Sequence, residues 1–311
     1  MTPHPRAKDL KSANHHWWPR SLSREWADGT GKVGRIDLDG SVKRIPHAKV
    51  GGLRNAHMIK LAPNKGEESV WDENFEHQFD WVDSAIPRLV ESLHEIPFEE
   101  RFDRLVRERW LQVKFEDEGD ALFGLIASLI VRSPKNREAS VALAEKLRGP
   151  IPEPERSALI GGNMRQSFGL IHRAFKGRGK IGFLDAADSE FIFGDGFPNN
   201  LSCVVNSPHT AEVFVPILPR IAVLFFSPMQ YTLNGRYFAA TLTNAEVSQL
   251  NESVQIYAGK ELFFRELQPM ITDHFKGGKF LQFAEGVNIV RNIGHSIPGV
   301  PPRDTTFDRV F

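Results

Sequence analysis

The residue types that could do chemistry gather first near the N-terminus. His15 and His16 precede Trp17, Trp18 and Pro19, and His57 follows in the run Asn55-Ala56-His57. A neutral imidazole beside carboxylates ligates a metal ion or serves as a general base. Neighbouring residues of an extended chain point to opposite sides, so only one of the two adjacent histidines can face a site together with Trp18. The other faces solvent or packs elsewhere. Asn55 and His57 would share a face in the same way and could join that site. The competing role for each is a hydrogen bond to a nearby backbone group.

Carboxylates to complete such a site lie further on. Glu73 and Glu76 are three apart at what reads as the first turn of a helix. They would share a face there, and the helix dipole favours them whatever else they do. His77 and Asp80 repeat the spacing, as a ligand pair or as an exposed polar face. Asp195 stands between Gly194 and Gly196 after an apolar run. The glycines permit positive φ or the close approach of a ligand, and the alternative for the aspartate is an Asx-type turn that closes the strand. Asn199, Asn200 and Asn206 would add amide donors. Glu76 and Asp195 are thus the candidate ligands of a divalent metal, with His16, His57 and Asp195 as candidate catalytic groups.

Other chemistries find no support. The run Lys176-Gly177-Arg178-Gly179-Lys180 has neither the strand-loop-helix setting nor the Gly-Lys-Ser/Thr ending of a phosphate loop, so it reads as a solvated turn. No Gly-x-Ser-x-Gly elbow and no Gly-x-Gly-x-x-Gly occurs, and Cys203, the single cysteine, carries no nucleophile signature. One cysteine makes no internal disulfide, which fits a reducing compartment and a cytoplasmic location. Lys+Arg and Asp+Glu balance at 39 each, so the chain has no global field for nucleic acid or an anionic membrane. Residues 1–18 have no apolar core of a secretory signal, and residues 1–13 read as a disordered leader. The longest apolar stretch, Ala121 to Val131, is far short of the roughly 20 residues of a membrane span.

The elements that must position the candidates follow from periodicity. Lys32 to Ile45 alternates on either side of Asp39-Gly40, a hairpin. Arg54 to Leu61 reads as a short strand or docked loop. From Asp72, as N-cap, Phe75, Phe79, Val82, Ile86, Leu89, Val90 and Leu93 form one helical stripe, which Pro87 should kink. Phe98 to Val113 repeats the pattern, and Gly119 to Val131, apolar nearly all round, predicts a buried central helix. Helices over Lys135 to Leu147 and Glu153 to Lys176 complete a helical middle. Strands are expected at Ile181 to Leu184, Glu190 to Phe193, Ala211 to Pro216, Ala222 to Phe226 and Glu261 to Arg265, with a helix over Thr243 to Ala258. Past Gly277 the Gly- and Pro-rich sequence predicts an extended tail over residues 277–311.

Three segments resemble a widespread bacterial group, domain-of-unknown-function family 4238. His16-Trp17-Trp18-Pro19 with Arg24 and Trp26 is similar to its His-x-x-Pro opening. Phe191 to Pro198 resembles its Phe-Ile-Thr-Ser-Asp-Asn-Pro turn. Val215 to Pro219, with Asn251 and Ala258 on a following helix, resembles its Pro-Leu-Ser-Pro strand. Gly194, Gly196 and Leu218-Pro219 depart from the pattern. The resemblance spans about residues 14 to 265 and implies a fold and a set of suspect residues. The resemblance also selects His16 of the two histidines. Trp18, Arg24 and Asn251 are on these grounds candidates for substrate binding, with Asn55 added for the face it would share with His57.

The expected architecture is one α+β domain over residues 14–276. It has an N-terminal hairpin, a central helical bundle, and a mixed or antiparallel C-terminal sheet packed on the helices. The expected function is a hydrolase-like, metal-dependent enzyme acting on a phosphodiester or similar ester. The alternative is a non-catalytic module that binds a protein partner through an aromatic-rich surface, since the chain holds 23 Phe and six Trp.

Overall fold

The computed structural model describes residues 14–59, 73–99, 106–201, 210–277 and 288–302. In chain order it has β1 (Asn14–His16), α1 (Arg20–Glu25), β2 (Lys32–Asp37), β3 (Val42–Pro46), β4 (Gly52–Arg54), β5 (Met58–Ile59) and β6 (Glu73–Asn74). A helical middle follows: α2 (Asp80–His94), β7 (Leu111–Gln112), α3 (Glu116–Arg132), α4 (Pro134–Arg148) and α5 (Glu153–Gly177). The remainder is β8 (Lys180–Asp185), β9 (Phe193–Gly194), β10 (Ala211–Pro216), β11 (Ile221–Ser227), β12 (Tyr237–Thr241), α6 (Asn244–Tyr257), β13 (Glu261–Phe264), α7 (Asp273–Lys276) and α8 (Asn288–Ser296). The fold is α+β, as the periodicity predicts.

The larger sheet runs β10-β11-β8-β12-β7, antiparallel except where β12 lies parallel to β8. Every residue of β11 is buried, so both faces of the strand must be covered. Phe225 points to one face, against Phe175 of α5 (ring centroids 4.0 Å) and Phe123 of α3 (6.4 Å). Phe226 points to the other, against Gly294 and His295 of α8. α3 is buried nearly all round, which accounts for its apolar sequence. The smaller sheet runs β3-β2-β13-β9, and the hairpin β2–β3 turns through Gly40 at φ 79°. Trp18 stacks on Phe193 of this sheet at 3.9 Å, with Trp17 and Trp26 beside it.

Four expectations need correction. Residues 277–311 do not form an extended tail throughout: α8 buries Val290 and Ile293, and Ile297 and Val300 beyond it are buried too. The stripe that begins at Phe75 is not helical at its start. Glu73 lies in β6 and Glu76 in a 3-10 turn, so they share no helical face, and the α-helix begins only at Asp80 and continues as one helix through Pro87. Residues 106–113 form a 3-10 turn and β7 rather than a helix. Finally, no aromatic-rich surface exists among the described residues, because Trp17, Trp18, Trp26 and Trp110 are buried and Trp81 is the only aromatic among the exposed large apolar side chains. Residues 1–13, Asp72, Cys203 and Asn206 lie outside the described residues. No helix among those described is long and apolar enough to cross a membrane.

Phe79 is wholly buried where the 3-10 turn enters α2, with its ring 5.2 Å from Phe168 and under the Arg132 guanidinium at 4.8 Å. Truncation leaves a cavity and removes the ring over which that cation lies. We therefore expect Phe79→Ala to cost about 3–5 kcal/mol in denaturant unfolding. A loss below about 1 kcal/mol would show that the site collapses around the missing ring.

Candidate functional site

β1 pairs antiparallel with β4, His15 opposite Leu53 and His16 opposite Gly52. Pairing turns alternate side chains to opposite faces, and here His15 faces inward with no exposed surface while His16 is only half-buried. After β4 the chain turns at Asn55, held at φ 57°, a left-handed conformation that Asn tolerates better than most residues. The turn delivers His57 into the interior, and its amide donates to His15 Nδ1 at 3.3 Å. β5 then pairs with β6, and the Phe75 amide donates to the His57 carbonyl at 3.0 Å. The 3-10 turn that follows presents Glu76, whose amide is held by Asn74 Oδ1.

The three side chains converge. His15 Nε2 lies 3.4 Å from Glu76 Oε2, His57 Nδ1 lies 3.9 Å from Glu76 Oε1, and one ligand atom from each falls within 4.8 Å of the others. Both ring nitrogens are buried and lack a hydrogen-bond partner. An unsatisfied buried polar atom is costly, and two aimed at one carboxylate mark a place built for a further group. Burial, reinforced by Arg137 and His16, holds the His15 imidazole down at about 4. Burial, then Arg132, His15 and other cations hold His57 down at about 2. Both rings are therefore neutral near pH 7 and carry a lone pair. Burial raises the Glu76 carboxyl, opposed by the charge of Arg132.

Arg132, the last residue of α3, is 2% exposed and forms a two-pronged pair with Asp83 at 3.0 and 2.8 Å. Its charge adds to burial in holding His57 neutral and opposes protonation of Glu76. Arg20, exposed on α1, donates to His16 Nε2 at 2.9 Å, and His16 Nδ1 faces the Val50 carbonyl at 3.1 Å. Both His16 nitrogens are thereby occupied. His15, not His16, joins His57 and Glu76. Trp18 enters the core rather than lining a cleft, because the chain bends at Pro19 into α1. One signal for Arg132 was present in the sequence, a cation closing an otherwise apolar helix.

The remaining candidates serve the backbone. Asp195 Oδ1 accepts from the amides of Gly259 (2.7 Å) and Lys260 (3.3 Å), tying β9 to the turn after α6. Gly194 and Gly196 are needed for that close approach, since a Cβ at Gly194 would lie 2.6 Å from Ala258 Cβ. Asn251 accepts from the Ile192 amide and donates to the Glu190 carbonyl. Arg24 is exposed on α1, and Asn55 does not share a face with His57 because the segment turns between them. The closest approach to a ligand set among the described residues is the His15–His57–Glu76 group. No family model, curated protein or solved structure matches this chain, so the resemblance of the three sequence segments rests on their residues alone.

Burial, partly offset by the amides of Gly259 and Lys260, pushes the Asp195 carboxyl up to about 6. Its folded value lies above the unfolded one, so its contribution to stability is full below about pH 4 and is lost as pH rises through 6. Asp195→Asn, which cannot ionise, should match or exceed the wild type at pH 7.5 by on the order of 1–3 kcal/mol. The advantage should disappear toward pH 4 in thermal unfolding across that range. A variant that is weaker at pH 7.5 and equal at pH 4 would mean that the ionised carboxylate stabilises the turn.

Proposed function

We propose that His15, His57 and Glu76 hold a divalent transition-metal ion and that the protein hydrolyses a phosphodiester or a similar anionic ester there. The observation that carries this reading is the pair of buried, unpartnered imidazole nitrogens aimed at one carboxylate. Two histidines and a glutamate are a donor set of catalytic zinc sites that keep an open position. An ion so bound would polarise the ester oxygen and make hydroxide available from water near neutral pH.

The protein's own residues prepare the site. The His57 amide fixes the His15 ring, and because His15 Nδ1 accepts that N–H, the neutral ring carries its proton on Nε2, toward Glu76. A cation on Nε2 requires that proton to move to Nδ1, at the expense of the long 3.3 Å amide contact. The Glu76 side chain is 43% exposed while both histidines are buried, so substrate reaches the group from the Glu76 side. Arg20, exposed and within electrostatic reach of Glu76, supplies a cation for an anionic substrate at that entrance. Arg132 is already matched by Asp83 and positions rather than binds.

Chelator-stripped protein titrated with zinc, manganese and iron(II) tests the reading. One ion per chain is expected, and His57→Asn or Glu76→Gln should weaken binding by at least about 100-fold, the upper range seen for loss of a mere outer partner. His16→Asn should bind as the wild type does. Affinity should stay nearly constant between pH 7.5 and 6, because neither imidazole has a proton to lose there. Cleavage of a phosphodiester panel should follow occupancy. Absence of binding, or equal binding by His57→Asn, overturns the metal centre, and binding of iron(II) alone without ester cleavage overturns the hydrolytic reading.

A further inference from the structure

A second recess, separate from the histidine group, opens between the segment around Arg54, the starts of α4 and α5, and Lys260, with a volume of ≈ 370 Å³. Its charged lining is Arg54, Arg137, Arg156 and Lys260 against Glu138 and Glu153. Four cations face two carboxylates, and with Arg156 matched by Glu145 outside the lining the net excess is one positive charge. Lys260 is paired with Glu138 at 2.9 Å, and Arg156 with Glu145. Arg54 and Arg137 have no carboxylate within ion-pair distance among the described residues.

Arg137 is the informative member. Its Nη1 donates to the Ala56 carbonyl at 2.6 Å and lies 3.7 Å from Met164 Sδ, which fixes the guanidinium in place. Its Nε and Nη2 have no acceptor among the described residues. That edge of the fork is the one that grips a carboxylate or phosphate with two parallel hydrogen bonds. Burial and the neighbouring Arg156 charge press the guanidinium down to about 10, although Glu153 opposes this. Two guanidiniums side by side in a recess, one lacking a counter-ion, are unfavourable unless an anion joins them. A merely structural tie to the Ala56 carbonyl would need neither the charge nor the fork.

We infer that this recess binds the phosphate group of a phosphorylated small molecule, with the phosphate on Arg137 and the remainder filling the cavity. The net positive lining and the open edge of the Arg137 fork complement a phosphate group. The volume exceeds what inorganic phosphate alone would fill and falls in the range of pockets for small organic ligands, roughly 300–1,000 Å³. The site does not depend on the proposed metal centre, although Ala56, which Arg137 holds, precedes His57 in the chain.

The test uses the full chain, stripped of metal, with calorimetric titration of inorganic phosphate, a hexose phosphate and a nucleoside monophosphate at matched ionic strength. Binding of at least one is expected, with a phosphorylated organic compound tighter than phosphate. Arg137→Met should weaken it by about tenfold or more, as loss of a charge-assisted hydrogen bond does, and Arg137→Lys should fall between, since a point charge replaces the fork. If Arg137→Met does not fold, Arg137→Lys and the exposed Arg54→Gln carry the comparison. Failure of all three compounds to bind, or affinities unchanged in every folded variant, overturns the proposal. Inorganic phosphate binding more tightly than either organic phosphate would overturn the assignment to a phosphorylated small molecule. Zinc and phosphate titrations are read separately, and His57→Asn should bind phosphate normally, so the two sites can fail independently.

Discussion

The whole arrangement rests on a strand that has no wet face. Because β11 buries every side chain, one layer of helices must lie on the Phe225 side and another on the Phe226 side. α3 and α5 fill the first position and α8 the second. Seating α3 there carries its last residue, Arg132, against Asp83 and the ring of Phe79. Burial is the main cause that keeps the two imidazoles unprotonated, and packing at the centre of the molecule adds the Arg132 charge beside His57.

The histidine group differs from the other polar groups of the interior in how its atoms converge. Arg109 grips Glu246 with two bonds while Glu246 completes the capping box of α6, and Glu190 binds Arg265 and two backbone amides. Single buried polar atoms without a hydrogen bond, such as Trp18 Nε1, Ser128 Oγ and Ser227 Oγ, occur elsewhere in the core. At His15 and His57 two such atoms face one carboxylate, and it is this convergence that marks the place.

Much of the framework was legible in the residues. Asp39-Gly40 marked the β2–β3 hairpin, the apolar run from Gly119 marked α3, and the helical reading of Thr243 to Ala258 marked α6. The failures have particular causes. Phe75 and Phe79 keep helical spacing, yet four residues are as well served by a 3-10 turn, and the backbone around Glu76 is committed to pairing β6 with β5. α8 was hidden because Gly and Pro around it outweighed Val290, Ile293 and Ile297, whose spacing is helical. Of the site, His57 and Glu76 were legible and His15 was not, because the His-x-x-Pro resemblance pointed to His16, whose two nitrogens the tertiary structure occupies with Arg20 and the Val50 carbonyl. Asp195 shows the converse, a carboxylate between glycines that looks reactive in sequence and proves to be a backbone tie.

The pairing of β13 with β2 has a consequence for how the chain comes off the ribosome. Asp37 lies opposite Glu261, so the inner strand of the N-terminal hairpin waits for a partner some 220 residues downstream. At roughly 5–20 residues per second, that edge stays open for on the order of 10–45 s during synthesis. β1, β4 and the histidine turn can close locally well before then. The nascent chain would therefore carry a closed β1–β4 pair beside an unpaired strand edge, a surface on which holding factors act and from which neighbouring chains on one message could cross-pair.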